Sequence, residues 1–267
     1  MADSQDTASG SPAALIVAHG QPSAPEGPEA DLAAFAGRVS RELPGWRVRG
    51  TTLAAPGALA AAVAALGPGA IVYPLFMADG WFVGTHLPER LAEAGAQDTR
   101  LVAPLGLDPG LPVCMAGAAA AAAREMGHAP GEVVVLLAAH GSPSNPRPRR
   151  AAEAAARAMG AATAFREIRC GFVDEAPTIA EVAAGLAGPA LCMPFFARRN
   201  GHVLEDLPQG LAQGGFPGPV LDPIGLDPAV PAMVAQAIRS AADTNAARTG
   251  GPAGPGIGRR DPCRGVA

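Results

Sequence analysis

Uninterrupted apolar runs alternate along this chain with stretches whose apolar positions recur every three or four residues. Ala13–Ala18 is a continuous apolar run, which predicts a buried strand. In Glu29–Glu42 the apolar residues Leu32, Phe35, Ala36 and Val39 follow a helical period. Trp46–Leu53 then reads as a strand, Gly57–Leu66 as a helix, Ala70–Phe76 as a strand and Leu87–Ala94 as a helix. Thr99–Pro104 is a further strand, and Leu111–Met126 an Ala-rich helix that stops before Gly127. The alternation starts again at Val133. Strands are expected at Val133–Ala139, Phe165–Phe172, Ala190–Phe196 and Val220–Ile224. Helices are expected at Arg149–Met159, Ile179–Leu186, Leu204–Leu211 and Pro231–Ala242. Strands alternating with helices imply parallel sheets covered on both faces, with about four strands in each half.

The restart is a true repeat. Leu15-Ile-Val-Ala-His-Gly20 matches Leu136-Leu-Ala-Ala-His-Gly141, and Val72-Tyr-Pro-Leu-Phe76 matches Cys192-Met-Pro-Phe-Phe196. Leu87-Pro88 matches Leu207-Pro208, and Leu105-Gly-Leu-Asp-Pro109 matches Ile224-Gly-Leu-Asp-Pro228. The offsets of 121, 120, 120 and 119 residues are nearly constant. A duplicated unit follows, with one copy over residues 13–127 and the other over 131–242. Residues 1–12 and 244–267, rich in small and polar residues or in Gly, Pro and Arg, are expected to be disordered tails.

Composition narrows the class. The hydrophobic fraction of 49% suffices for real cores, while the 4% of aromatics suits Ala-faced helices on a sheet better than an aromatic-rich β-sandwich. All 20 basic residues are Arg, and the net charge of −4 argues against a nucleic-acid partner. No apolar run reaches membrane-spanning length, and the first residues lack a signal-peptide pattern, which points to the cytoplasm. Cys114, Cys170, Cys192 and Cys263 are scattered without metal-site spacing; the first three read as small core residues.

Candidate chemistry collects at the carboxyl ends of strands, where open parallel sheets bind ligands. His19 and His140 each follow an apolar strand and precede a glycine. After the next repeat strand the copies diverge. Pro194-Phe-Phe-Ala-Arg-Arg-Asn-Gly-His-Val-Leu-Glu-Asp206 carries His202, whereas the gapless alignment puts Phe82 opposite it and His86 opposite Asp206. Four residues is about one helical turn, so His86 could still face the same space. Asp174 and Glu175 are matched in the first copy by Leu53 and Ala54. The second copy thus offers His140, His202 and an acidic residue, a set suited to a borderline divalent ion. Its neutral imidazoles could equally take protons from pyrrole nitrogens. Ser142 follows His140, and Arg147, Arg149, Arg150, Arg198 and Arg199 lie near the same edge, where guanidinium groups suit carboxylates. A histidine phosphohydrolase also has His-Gly after a strand, but Ala18 and Ala139 stand where its arginine would be.

These residues resemble the sirohydrochlorin chelatases, the class II chelatase family, in its long two-repeat form. The resemblance rests on His140-Gly-Ser142, Phe172-Val-Asp-Glu-Ala-Pro-Thr-Ile179, and Pro194-Phe-Phe followed by Gly201-His-Val-Leu-Glu-Asp-Leu-Pro208. It implies an α/β fold, chelatase-like: two duplicated three-layer α/β domains with parallel sheets and a cleft between them. It implies insertion of cobalt or iron into a sirohydrochlorin-like tetrapyrrole, with no cofactor beyond the Co²⁺ or Fe²⁺ that is itself substrate. His140, His202 and His19 would be catalytic. His140 and His202, with Asp174 or Glu175, would hold the metal. Ser142, Arg147, Arg198, Arg199, Trp81, Phe82 and His86 would meet the tetrapyrrole. The chain would work as a monomer with pseudo-twofold lobes. A non-catalytic tetrapyrrole or metal carrier is the competing expectation, motivated by the first copy's losses.

Overall fold

The computed structural model describes residues 10–97 and 99–249. In the first lobe the elements are β1 (Ala13–Ala18), α1 (Glu26–Glu42), β2 (Arg47–Thr52), α2 (Ala58–Leu66), β3 (Ile71–Pro74), α3 (Leu87–Glu93), β4 (Arg100–Leu101) and α4 (Leu111–Glu125). The second lobe has β5 (Val134–Ala139), α5 (Arg147–Ala162), β6 (Glu167–Phe172), α6 (Ile179–Ala184), β7 (Ala190–Pro194), α7 (Leu207–Gln213) and α8 (Val230–Thr249). All strand pairs are parallel, in the orders β2-β1-β3-β4 and β6-β5-β7. β1 and β5 are buried along their whole length because each lies between two strands and beneath helices on both faces.

The expected fourth strand of the second lobe is reduced to one bridge between Cys192 and Val220. Pro217, Pro219 and Pro223 flank it, and proline cannot donate to a ladder. The last helix runs to Thr249, beyond its expected end at Ala242. The rest of both expected tails, residues 1–9 and 250–267, lies outside the described residues.

Three apolar layers hold the molecule together. Leu15 and Val17 pack outward under α2 and α3 with Leu59, Leu66, Leu87 and Leu91. Leu136 and Ala138 do the same under α6 and α7 with Ile179, Val182, Leu207 and Leu211. The inward faces of both sheets share one large core with α1, α4, α5 and α8. Within that core the closing helices are exchanged. α4 ends the first repeat but packs on β7 and α5, while α8 ends the second but packs on β3 and α1. Arg239 on α8 donates to the Glu42 carbonyl at 2.6 Å, and Arg100 donates to the Ala241 carbonyl. Each sheet is therefore completed by a helix of the other repeat.

Two glycine pairs explain the repeated motifs. Gly20 and Gly141 adopt φ of 80° and 73°, and a Cβ there would lie 2.7 Å from Thr52 Cβ or 2.8 Å from Glu175 Cγ. The chain thus turns sharply after each histidine. Gly106 and Gly225 pass beneath the loops that follow β3 and β7. A Cβ would come within 1.9 Å of the Met77 carbonyl oxygen or 2.1 Å of the Ala197 oxygen. Only glycine lets the two segments cross so closely.

Candidate metal centre

His140 leaves the end of β5, and His202 opens a π-helical turn, His202–Asp206, at the head of α7. A π turn closes its hydrogen bond over five residues, here from Leu207 N–H to the His202 carbonyl. This brings Asp206 onto His202: Oδ2 lies 2.6 Å from Nδ1. His140 Nδ1 lies 2.8 Å from the Gly141 carbonyl oxygen and 3.2 Å from Asp174 Oδ2. Both Nδ1 atoms face acceptors only, so each carries the ring proton and donates. The two Nε2 atoms face each other at 3.0 Å, with ring centroids 4.3 Å apart and planes at 80°.

Two bare imidazole lone pairs at that distance repel unless a cation lies between them. One proton satisfies the pair, and so does one metal ion. An ion about 2.1 Å from each nitrogen would subtend roughly 90° between them, an ordinary coordination angle. The carboxylates of Asp174 and Asp206 add negative charge behind both rings and hold them in place, as partners on the far nitrogen of a metal-binding histidine do. The side chains of His140 and His202 are 43% and 36% exposed, so the site is open to solvent.

The third ligand expected from Asp174 or Glu175 is not beside the Nε2 atoms. Asp174 sits on the opposite ring nitrogen of His140. Glu175 accepts from Ser142 N–H at 2.9 Å and from Arg149 at 2.9 and 2.8 Å. Its carboxylate thus fixes the loop after His140 and the start of α5. Among the described residues, no three His, Cys, Asp or Glu side chains are grouped to hold a metal ion. The pair alone would supply two nitrogens to an ion, and any further ligands would have to come from elsewhere.

The arginines expected to meet a substrate have carboxylate neighbours. Arg147 donates to the Asp79 carbonyl at 2.6 Å and lies 3.5 Å from Asp79 Oδ2. Arg199 pairs with Asp222. Arg198 lies 3.4 Å from Asp31 on α1; its burial pulls the guanidinium pKa down, Asp31 partly restores it, and its Nη1 is buried without a partner. Substrate carboxylates would have to compete with these partners. Arg147 and Arg198 also tie the strand-end loops of one lobe to the other. The Ser142 hydroxyl lies 3.4 Å from that of Ser144.

In the first lobe Phe82 opens the matching π turn, Phe82–His86, and faces His19 with ring centroids 4.3 Å apart. His86 turns away to stack on Trp81 at 4.8 Å, with planes at 17°. His19 and His86 therefore do not form a second imidazole pair. Burial pushes the Cys192 thiol up to about 12 and the Cys170 thiol up to about 11, and no described cysteine belongs to a group of three possible metal ligands. Two hollows of about 690 and 410 Å³ lie beside the edge strands β2 and β6, and neither is lined by a histidine.

Asp206, on His202 Nδ1, is a neighbour of the pair to which the sequence pattern assigned no role. Its signal was the spacing His202-x-x-x-Asp206, opposite Phe82-x-x-x-His86.

Two parallel-sheet lobes each carry a pair of rings at the end of a central strand. A family model described as CbiX matches residues 134–241. A solved structure of CbiX, described as the terminal enzyme for biosynthesis of siroheme in denitrifying bacteria, is 44% identical, with a TM-score of 0.80 over 86% of this chain and 99% of that one. The chain belongs to the CbiX family, within the class II chelatases. Two more distant structures share the fold. SirB from Bacillus subtilis with Fe³⁺ is 18% identical, with a TM-score of 0.71 over 88% of this chain and 97% of its own. A multi-domain Deinococcus radiodurans protein with structural similarity to chelatases is 24% identical, with a TM-score of 0.64 over 86% of this chain and 54% of its own. No curated protein sequence matches. Among the described residues, no helix is long and apolar enough to cross a membrane.

Proposed function

We propose that the chain inserts a divalent metal, cobalt or iron, into sirohydrochlorin or a closely related tetrapyrrole. The observation that carries this reading is the facing Nε2 pair of His140 and His202, each ring anchored by a carboxylate at Nδ1. An ion that must be passed on needs a site that binds without closing around it. Two nitrogens with open positions suit that task, whereas four protein ligands would retain the ion. The 44% identical relative, named for siroheme biosynthesis, supports the tetrapyrrole branch.

The proton balance fits the same two residues. Insertion of M²⁺ into a ring with two N–H groups releases two protons. As the ion leaves the imidazoles for the ring nitrogens, one of those protons comes to lie between the two facing Nε2 atoms and the other passes to solvent at the open site. Asp174 and Asp206 stabilise the single positive charge that the pair then carries, and solvent in turn takes that proton. No further cofactor enters this scheme. The chain acts alone in the cytoplasm, with the ring seated where the loops of the two lobes meet.

Anaerobic single-turnover insertion of Co²⁺ and Fe²⁺ into sirohydrochlorin, followed by absorbance, tests the reading. Rates above the spontaneous background are expected, and they should be lost in His140→Ala and His202→Ala. Metal and ring binding without turnover would describe a carrier built on the same pair.

A further inference from the structure

The first lobe's rim loop carries an indole with one face covered and much of its surface open. Trp81 is 54% exposed, although an aromatic ring of this size gains most from burial. His86 lies parallel to it at 4.8 Å, and Phe82 meets it edge-on at 5.1 Å. Phe82 in turn holds His19 at 4.3 Å. These four rings form a braced aromatic cluster in the place where the second lobe keeps its imidazole pair. The cluster also adjoins that pair's loop: Arg147 donates to the Asp79 carbonyl, and a methyl group on Gly80 would touch Asn145 Nδ2 at 3.6 Å. An open indole face on the loop that touches the segment after His140 matches a flat conjugated ring.

We propose that Trp81, backed by His86, stacks on one face of the tetrapyrrole, so that the first lobe seats the macrocycle while the second delivers the metal. The inference rests on the proposed chelatase reading and assigns that site a specificity-determining residue. His86, on this account, is a positioning residue acting through the indole, which is why it turns from His19 toward Trp81. Phe82 keeps metal out of the first lobe and supports the stack.

The test is a titration of tryptophan emission with metal-free sirohydrochlorin, with no metal present, in the wild type, Trp81→Phe and Trp81→Ala. The chain has two tryptophans, and the other, Trp46, is partly buried against the core. Binding should quench wild-type emission, and most of that quenching should vanish in Trp81→Phe. The dissociation constant for the ring should rise about tenfold in Trp81→Ala and less than about threefold in Trp81→Phe, which keeps a stacking ring. Co²⁺ affinity should be unchanged in both. Ring affinity of Trp81→Ala within twofold of wild type would overturn the proposal, as would quenching unaltered in Trp81→Phe. A parallel loss of Co²⁺ affinity would overturn the division of labour. Because nothing is turned over, Trp81-dependent ring binding in a chain that inserts no metal would uphold this inference and remove the chelatase reading.

Discussion

At the end of β5 two imidazoles face each other, and at the end of β1 an imidazole faces a phenyl ring. The centroid separation is 4.3 Å in both places, and in both the second ring opens a π-helical turn. The duplicated scaffold still positions a ring pair at each site. What differs is the chemistry of three positions: His202 against Phe82, Asp206 against His86, and Asp174 against Leu53. Each exchange removes something a metal needs, namely a lone pair, the anchor of one imidazole and the anchor of the other. Backbone geometry therefore places the rings, and on the proposed reading side-chain identity decides whether a cation could lie between them.

The largest effect should come from making the second lobe like the first. His202→Phe is expected to cut single-turnover insertion by at least about a hundredfold, since a lone imidazole is a poor site for a divalent ion. Folding should survive, because the first lobe already accommodates phenylalanine there; circular dichroism checks this. Asp206→Ala comes next. Losing the carboxylate behind His202 should reduce Co²⁺ affinity by about 10–100-fold, measured by calorimetric titration. Gly225→Ala probes the scaffold itself. A methyl group 2.1 Å from the Ala197 carbonyl oxygen should cost about 1–3 kcal/mol in urea unfolding, and Gly106→Ala should cost a similar amount in the other lobe. The smallest effect is expected at the first lobe's histidine: His19→Ala should change Co²⁺ affinity by less than about twofold, because its partner ring offers no lone pair.

Much of this contrast was legible in the sequence. The repeat registered His140 against His19 and His202 against Phe82, and apolar runs located β1, β3, β5 and β7 to within one or two residues at most of their ends. Asp174 was visible as an acidic residue near the site, but spacing cannot say which imidazole nitrogen a carboxylate meets. It stands behind the ring instead of beside the metal position. Glu175 was equally plausible on spacing, and its bonds to Arg149 and Ser142 N–H depend on a turn that only the fold reveals. The π turn uniting His202 with Asp206 has the same apolar pattern as an ordinary helix start. The exchange of α4 and α8 was likewise invisible. An amphipathic period shows that a helix covers a core, not whose sheet it covers.

The central claim is that the cation site belongs to the second lobe alone. Its most direct test is the stoichiometry of Co²⁺ bound to the tetrapyrrole-free chain, read from ligand-field absorption in the wild type, His202→Phe and His19→Ala. The wild type and His19→Ala should each bind one Co²⁺ per chain through imidazole nitrogen, and His202→Phe should bind none at that site. Retention of the ion by His202→Phe, or its loss in His19→Ala, would contradict the account.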